Sequence, residues 1–266
     1  MNDLTIIYYT ANYLDETNPY FLDNTKKQLI KAADGLPIVI VSQKPTMFGP
    51  NSTNIVLGDI GRSHLNIYRQ ILMGCKAATT KYVAMAEDDI LYSYEHFHSP
   101  EYLPKGDVFV YDMNKLSLFT WTKPPLFSFR HNRMVVNQLI APREMLIEAL
   151  EERFERLNEL KAQGRKEEDI IKNWGDPGRY ERLLGVTERK TDNFMCTCPS
   201  IVFTHEYAYG YQFNHGKRKR LGDLRIIELP YWGRAEDVLK LFYESNLKFG
   251  YKLLDERKPF TIDPYE

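Results

Sequence analysis

The chain predicts an α/β fold, a mostly parallel sheet flanked by helices, on three observations. Apolar, β-branched runs occur at Leu4–Thr10 (LTIIYYT), residues 37–42 (PIVIVS) and Tyr82–Ala86 (YVAMA). Segments with apolar residues at helical spacing alternate with them. The runs are apolar at nearly every position, as strands covered by helices on both sides must be.

In order along the chain, Leu4–Thr10 opens into a polar loop, residues 11–19, followed by residues 23–33 at helical spacing. Asp23 is placed to cap that helix and Gly35 to stop it. With residues 37–42 this makes one βαβ unit, hence a parallel pair and a right-handed crossover. A Pro-, Gly- and Ser-rich loop leads to a short strand at residues 54–57. Residues 62–78 form a helix with Leu65, Tyr68 and Leu72 on one face. The next strand, Tyr82–Ala86, ends in Glu87, Asp88 and Asp89. Further on, residues 107–112 and 116–121 are expected to pair with each other around Met113 and Asn114. Residues 134–141 (MVVNQLIA) are expected as another strand. Pro142 opens a long charged helix that runs to about Gln163 and stops at Gly164. Residues 198–204 return as a strand with His205 directly after it. From Leu224 a short strand and a helix over residues 235–246 complete a single domain, residues 1–266, with halves at 1–92 and 93–266.

Composition is that of an ordinary globular chain, 43% hydrophobic and 27% charged. The formal net charge of −1 gives no global pull toward nucleic acid or anionic membrane, so either partner would need a local patch. No apolar run approaches the roughly 20 residues of a membrane span. The opening MNDLTIIYYT has neither the basic region nor the cleavage site of a secretory leader. The expectation is a cytoplasmic protein without a membrane partner. Cys75, Cys196 and Cys198 are an odd set, and Cys196-x-Cys198 lacks the second pair of a structural zinc site, so free thiols are expected. No Gly-x-Gly-x-x-Gly and no Walker loop occurs, which argues against dinucleotide enzymes and P-loop NTPases.

The acids carry the functional signal. Ligands of open α/β sheets sit at the carboxyl ends of the strands, where Glu87, Asp88 and Asp89 fall. Like charges so close repel unless a cation joins them, and a divalent metal with hard oxygen ligands does so most simply. The alternative is a solvated strand end. Candidate substrate contacts are Thr10, Ala11 and Asn12 at the end of the first strand, Arg62 and Arg69 on the helix, and Asp88 itself.

Through residue 92, the helix-then-strand run ending in KYVAMAEDD resembles the nucleotide-sugar half of GT-A glycosyltransferases and their D-x-D motif. Glu87 stands at the first acidic place and Asp89 at the third. Ser42 and Gln43 stand where many members carry an Asp that holds uracil. The resemblance implies a nucleotide-sugar donor, most simply a UDP-sugar, and Mn²⁺ or Mg²⁺ held by Glu87, Asp89 and a His from the second half. His205 is the first choice for that His and His215 the alternative. It also implies a carboxylate base for the acceptor hydroxyl, with Asp176 and Glu181 as candidates. Asp176 is equally placed to cap a helix beginning at Pro177. Lys217, Arg218, Lys219 and Arg220 are placed to meet phosphate, as the donor diphosphate or as DNA, or else form a solvated loop. With aromatic residues beside it, this run resembles small phage glycosyltransferases that decorate hydroxymethylated pyrimidines in DNA, which would place the protein in the host cytoplasm. A saccharide or protein acceptor is the alternative. From other classes come a nucleotidyltransferase, which the Gly- and Lys-free loop TANYLDETNPY disfavours, and a non-catalytic nucleotide-sugar or nucleic-acid-binding module.

Overall fold

The computed structural model describes residues 3–129, 134–172, 174–208, 222 and 224–243. In chain order the elements are β1 (Leu4–Thr10), α1 (Tyr13–Thr17), α2 (Pro19–Ala33), β2 (Ile38–Ser42), β3 (Ser52–Val56), α3 (His64–Ala77), β4 (Tyr82–Ala86), β5 (Ile90–Leu91) and α4 (Tyr94–His98). They continue with β6 (Phe109–Asp112), β7 (Lys115–Phe119), β8 (Phe127–Phe129), β9 (Leu139–Pro142), α5 (Arg143–Ala162), α6 (Glu167–Ile171) and α7 (Glu181–Leu184). Last come β10 (Thr191–Phe194), β11 (Ser200–Thr204), β12 (Leu224–Ile226), β13 (Glu228–Leu229), β14 (Gly233–Arg234) and α8 (Ala235–Leu239).

The α/β expectation holds. A seven-stranded sheet runs β10-β6-β9-β4-β1-β2-β3, parallel throughout except at β9. The βαβ unit is present, with Ile6 to Thr10 registered on Ile38 to Ser42. Along β1 the side chains alternate between two cores. Ile7 and Tyr9 pack with Ile71 of α3 and Leu146 and Leu150 of α5, whereas Leu4, Ile6 and Tyr8 pack with Leu29 of α2 and Phe97 of α4. α3 lies so close that a Cβ on Gly74 would sit 2.4 Å from the Ile7 Cγ2.

Four expectations are corrected. α2 starts at Pro19, not Asp23, because Asn18 accepts a hydrogen bond from the Phe21 N–H and Pro19 fills the first helical position. The loop before it contains the short helix α1. The runs at residues 107–112 and 116–121 do not pair with each other. β6 belongs to the seven-stranded sheet, and β7 to a second sheet of order β12-β8-β7-β11-β5. Asp112 Oδ1 accepts the Asn114 N–H at 2.9 Å and turns the chain from one sheet to the other. Of residues 134–141, Val136–Gln138 is a 3₁₀ turn and the strand is Leu139–Pro142.

Candidate active site

The carboxyl ends of β1 and β4 lie side by side, with Tyr8 registered on Ala86. The next residues therefore face one another. Tyr9 OH donates to Glu87 Oε1 at 2.8 Å, and Thr10 Oγ1 donates to Asp88 Oδ2 at 2.6 Å. The 3₁₀ turn before β9 brings in Asn137, whose side-chain amide donates to Glu87 Oε2 at 2.7 Å. Tyr92 OH supports that turn by donating to the Asn137 carbonyl at 3.0 Å. Both Glu87 oxygens thus have protein donors.

Asp89 is arranged differently. Its carbonyl accepts from Phe203 N at 3.0 Å, which ties it to β11, and the residue after β11 is His205. The two side chains meet, Nε2 to Oδ2, at 3.5 Å. Asp89 Oδ1 and both His205 ring nitrogens are buried without a hydrogen-bond partner among the described residues. The ring is held by Phe21 and Phe242, at centroid distances of 5.8 and 5.3 Å.

Burial pushes the Glu87 carboxyl up to about 8, with the Asp89 charge adding and the Asn137 and Tyr9 hydrogen bonds opposing. Asp88 is pushed up to about 6 by burial and then by Asp89, with the Thr10 bond opposing. This is the like-charge repulsion expected of clustered carboxylates, amplified by a low-dielectric surrounding.

The acids open onto a cleft of about 470 Å³ that Thr10, Ala11, Arg62, His64, Asn137, Asp176 and His205 also line. Arg62 stacks over Tyr13 at 4.0 Å and donates to the Tyr207 carbonyl at 2.9 Å. Asp176 lies in the cleft wall. Its Oδ1 accepts from Val136 N at 2.9 Å and Tyr68 OH at 3.1 Å, so it caps no helix, and α7 begins only at Glu181. Burial raises its carboxyl above the ordinary range.

Several candidates lie elsewhere. Glu181 is buried away from the cleft in an ion pair with Arg153, 2.7 Å, and also accepts from Gly178 N. Arg153 in turn donates to the Trp174 carbonyl at 2.7 Å, so the pair anchors the loop that presents Asp176. Asn12 does not line the cleft. With φ of 58° it points inward, accepts from Gln43 N and Lys44 N and donates to Asp15 and Thr46. Arg69 donates to Asn66 at 2.6 Å and lies over Phe154, also outside the cleft lining. Glu87, Asp89 and His205 do not bring three ligand atoms within 4.8 Å of one another. Among the described residues only His96, Asp112 and Cys196 do. His215, Lys217, Arg218, Lys219 and Arg220 lie outside the described residues.

Tyr9, Asn137, Tyr68 and Lys115 line the cleft and were not singled out by sequence. Asn137 had a signal, a polar residue within the apolar run MVVNQLIA, and Lys115 opens a strand yet is buried.

No family model matches the chain, and no curated protein does. Solved structures do. TarS residues 1–349 from S. aureus, in complex with UDP-GlcNAc, has a TM-score of 0.40 and 10% identity over 76% of this chain and 59% of that one. The 2-C-methyl-D-erythritol 4-phosphate cytidylyltransferase from Thermus thermophilus has a TM-score of 0.41 and 9% identity over 76% of this chain and 92% of that one. The glycosyltransferase GlyE from Streptococcus pneumoniae has a TM-score of 0.36 and 9% identity, covering 79% of this chain and 48% of that one. At this level the likeness is one of outline, and this chain spans about three fifths of the TarS fragment. No helix among the described residues is long and apolar enough to cross a membrane.

Proposed function

We propose that the protein is a glycosyltransferase that moves a sugar from a nucleotide-sugar, most simply a UDP-sugar, to a hydroxyl acceptor. The observation that carries this is the meeting of Asp89 and His205 at the cleft floor, with buried oxygen and nitrogen atoms that no described residue engages. The carboxylate suits Mn²⁺ or Mg²⁺, and burial, then the Asp89 charge, raises the Glu87 and Asp88 carboxyls, so a cation beside them would favour their ionised forms. Asp89 and His205 would hold the ion, with Glu87, fixed by Tyr9 and Asn137, and Asp88 beside it. When bound there, the ion would neutralise charge on the departing diphosphate.

The remaining work falls to the chain's own residues. Arg62 and the first turn of α3 border the cleft where a diphosphate would lie, and a helix N-terminus favours anions. Asp176 is the candidate base. Its Oδ1 is occupied by Tyr68 and Val136, and its Oδ2, which has only the Arg179 guanidinium at 4.0 Å, would take the acceptor hydroxyl proton. The bond from the anomeric carbon to the diphosphate oxygen breaks as the bond to the acceptor oxygen forms. A hydrolysis screen of nucleotide-sugars with Mn²⁺ or Mg²⁺ tests this reading. Release of the nucleoside diphosphate from one donor, dependent on metal and lost in Asp89→Asn, is expected. Metal-independent release, or none from any donor, contradicts it.

For the acceptor, the reading is a hydroxymethylated pyrimidine in DNA, met by Lys217 to Arg220. Binding to duplex DNA should then fall with salt at a log–log slope of about −0.9 per phosphate contacted, or roughly −3 to −4 for four contacts. Replacing all four by Gln should flatten the slope and leave donor hydrolysis unchanged. If donor hydrolysis is lost instead, the run faces the diphosphate, and an unchanged slope points to a saccharide or protein acceptor.

A further inference from the structure

Away from the cleft, at the seam between the two sheets, His96 of α4, Asp112 at the end of β6 and Cys196 beyond β10 converge. Each is at most 1% exposed. One ligand atom from each lies within 4.8 Å of the others. We propose that this cluster is a metal site that takes Zn²⁺ on three protein ligands.

The donor chemistry selects the ion. Imidazole, carboxylate and thiolate together form a zinc set, whereas Mg²⁺ and Ca²⁺ avoid sulfur. The charges also close, since two positive charges meet one carboxylate and one thiolate, and a neutral imidazole adds none. The buried complex is then uncharged, which removes the desolvation cost that an isolated buried carboxylate carries.

The carboxylate is held as a ligand's carboxylate should be. Asp112 Oδ1 accepts from Asn114 N at 2.9 Å and from Cys196 N at 3.3 Å, which fixes the group and leaves Oδ2 facing His96 Nδ1 at 3.0 Å. In the metal-free protein Nδ1 and Asp112 Oδ2 share a hydrogen bond, which a bound ion would replace, and the other ring nitrogen, Nε2, is buried without a partner among the described residues. Asn114 also holds the cysteine loop by donating to the Cys196 carbonyl at 2.6 Å. The site would clamp three segments distant in sequence: α4, the β6–β7 turn and the loop from edge strand β10 to β11. Because His205 directly follows β11, the clamp also sets the strand that delivers His205 to the cleft.

Metal entry would release the Cys196 thiol proton to solvent as the sulfur–zinc bond forms.

The test is zinc content and Co²⁺ absorption of the full chain. After incubation with Zn²⁺ and dialysis, about one zinc ion per chain is expected in the wild type and in Asp89→Asn, which keeps this site apart from the cleft. His96→Gln and Cys196→Ser should lose it. With Co²⁺, the folded wild type should show a thiolate-to-cobalt charge-transfer band, a readout that needs no variant to fold. Folded wild type that retains no zinc, zinc held equally by Cys196→Ser, or a cobalt complex without the thiolate band would each overturn the assignment.

Discussion

Glu181 and Asp89 are both acids beside a basic side chain, but Asp89 lines the cleft and Glu181 does not. Glu181 meets Arg153 at 2.7 Å with both side chains buried, and the Gly178 N–H adds a second donor. Around Arg153, the carbonyls of Trp174, Gly175 and Asp176 accept from its two terminal nitrogens, and only Nε lacks a partner among the described residues. Asp89 meets His205 at 3.5 Å, and three of the four polar side-chain atoms of that pair have no hydrogen-bond partner among the described residues. The first pair uses its polar capacity inside the protein and fixes a loop. The second keeps its capacity for something that binds. Satisfaction of polar atoms, rather than the presence of charge, separates an anchor from a site.

That contrast can be broken in several ways. Glu181→Ala leaves the Arg153 guanidinium buried and unpaired, so it should cost about 3–5 kcal/mol of stability. A urea midpoint within experimental scatter of wild type would show that the pair is not an anchor. Asp89→Asn keeps the shape and removes the charge that crowds Glu87 and Asp88, so it should leave the urea midpoint unchanged or raise it. Its turnover should fall by more than the about 10–100-fold that loss of an outer partner of a metal costs. A variant that melts early and turns over normally when folded would reverse the assignment of the two acids.

Proton linkage sharpens the comparison further. Glu87 is raised from an ordinary 4.5 to about 8, and Asp88 from 3.8 to about 6. The folded protein therefore binds more protons than the unfolded chain across those windows, and its metal-free stability should fall as pH rises. The Asp88 contribution is lost between about pH 4 and 6, and that of Glu87 between about pH 4.5 and 8. Glu87→Gln should flatten the upper part of the profile in chemical-denaturation curves taken at successive pH values. A profile that rises from pH 6 to 8 in the absence of metal would contradict the burial of these acids. The smallest effect expected is for His205→Ala, about tenfold weaker Mn²⁺-dependent nucleotide binding in a metal titration. If His215→Ala shifts that affinity and His205→Ala does not, the imidazole has been assigned to the wrong residue.

The central strands were legible because β1, β2 and β4 are apolar on both faces and carry one secondary-structure period each. The acid cluster was legible for the same reason, since polar residues directly after a buried strand have to lie at its end. The pairing of β6 with β9 and of β7 with β11 was not, because strand partners are chosen across the sheets and local pattern holds no record of them. Glu181 and Asp176 lie in one short segment and look interchangeable in sequence. Arg153, 28 residues before Glu181, decides between them, and only the fold brings it there. Asn12 was misplaced because a polar residue after a strand predicts exposure, whereas its left-handed backbone turns the amide inward to bond the loop after β2. The Cys196 cluster stayed hidden because its partners stand 84 and 100 residues away.

The most direct measurement of the central claim is the melting temperature of wild type and Asp89→Asn with a UDP-sugar, each with and without Mn²⁺. Wild type should be stabilised by the nucleotide-sugar only when Mn²⁺ is present, and Asp89→Asn should show no shift under either condition. An equal shift in the variant, or a shift in wild type that is indifferent to Mn²⁺, would contradict the assignment of Asp89 and His205 as the metal-holding pair.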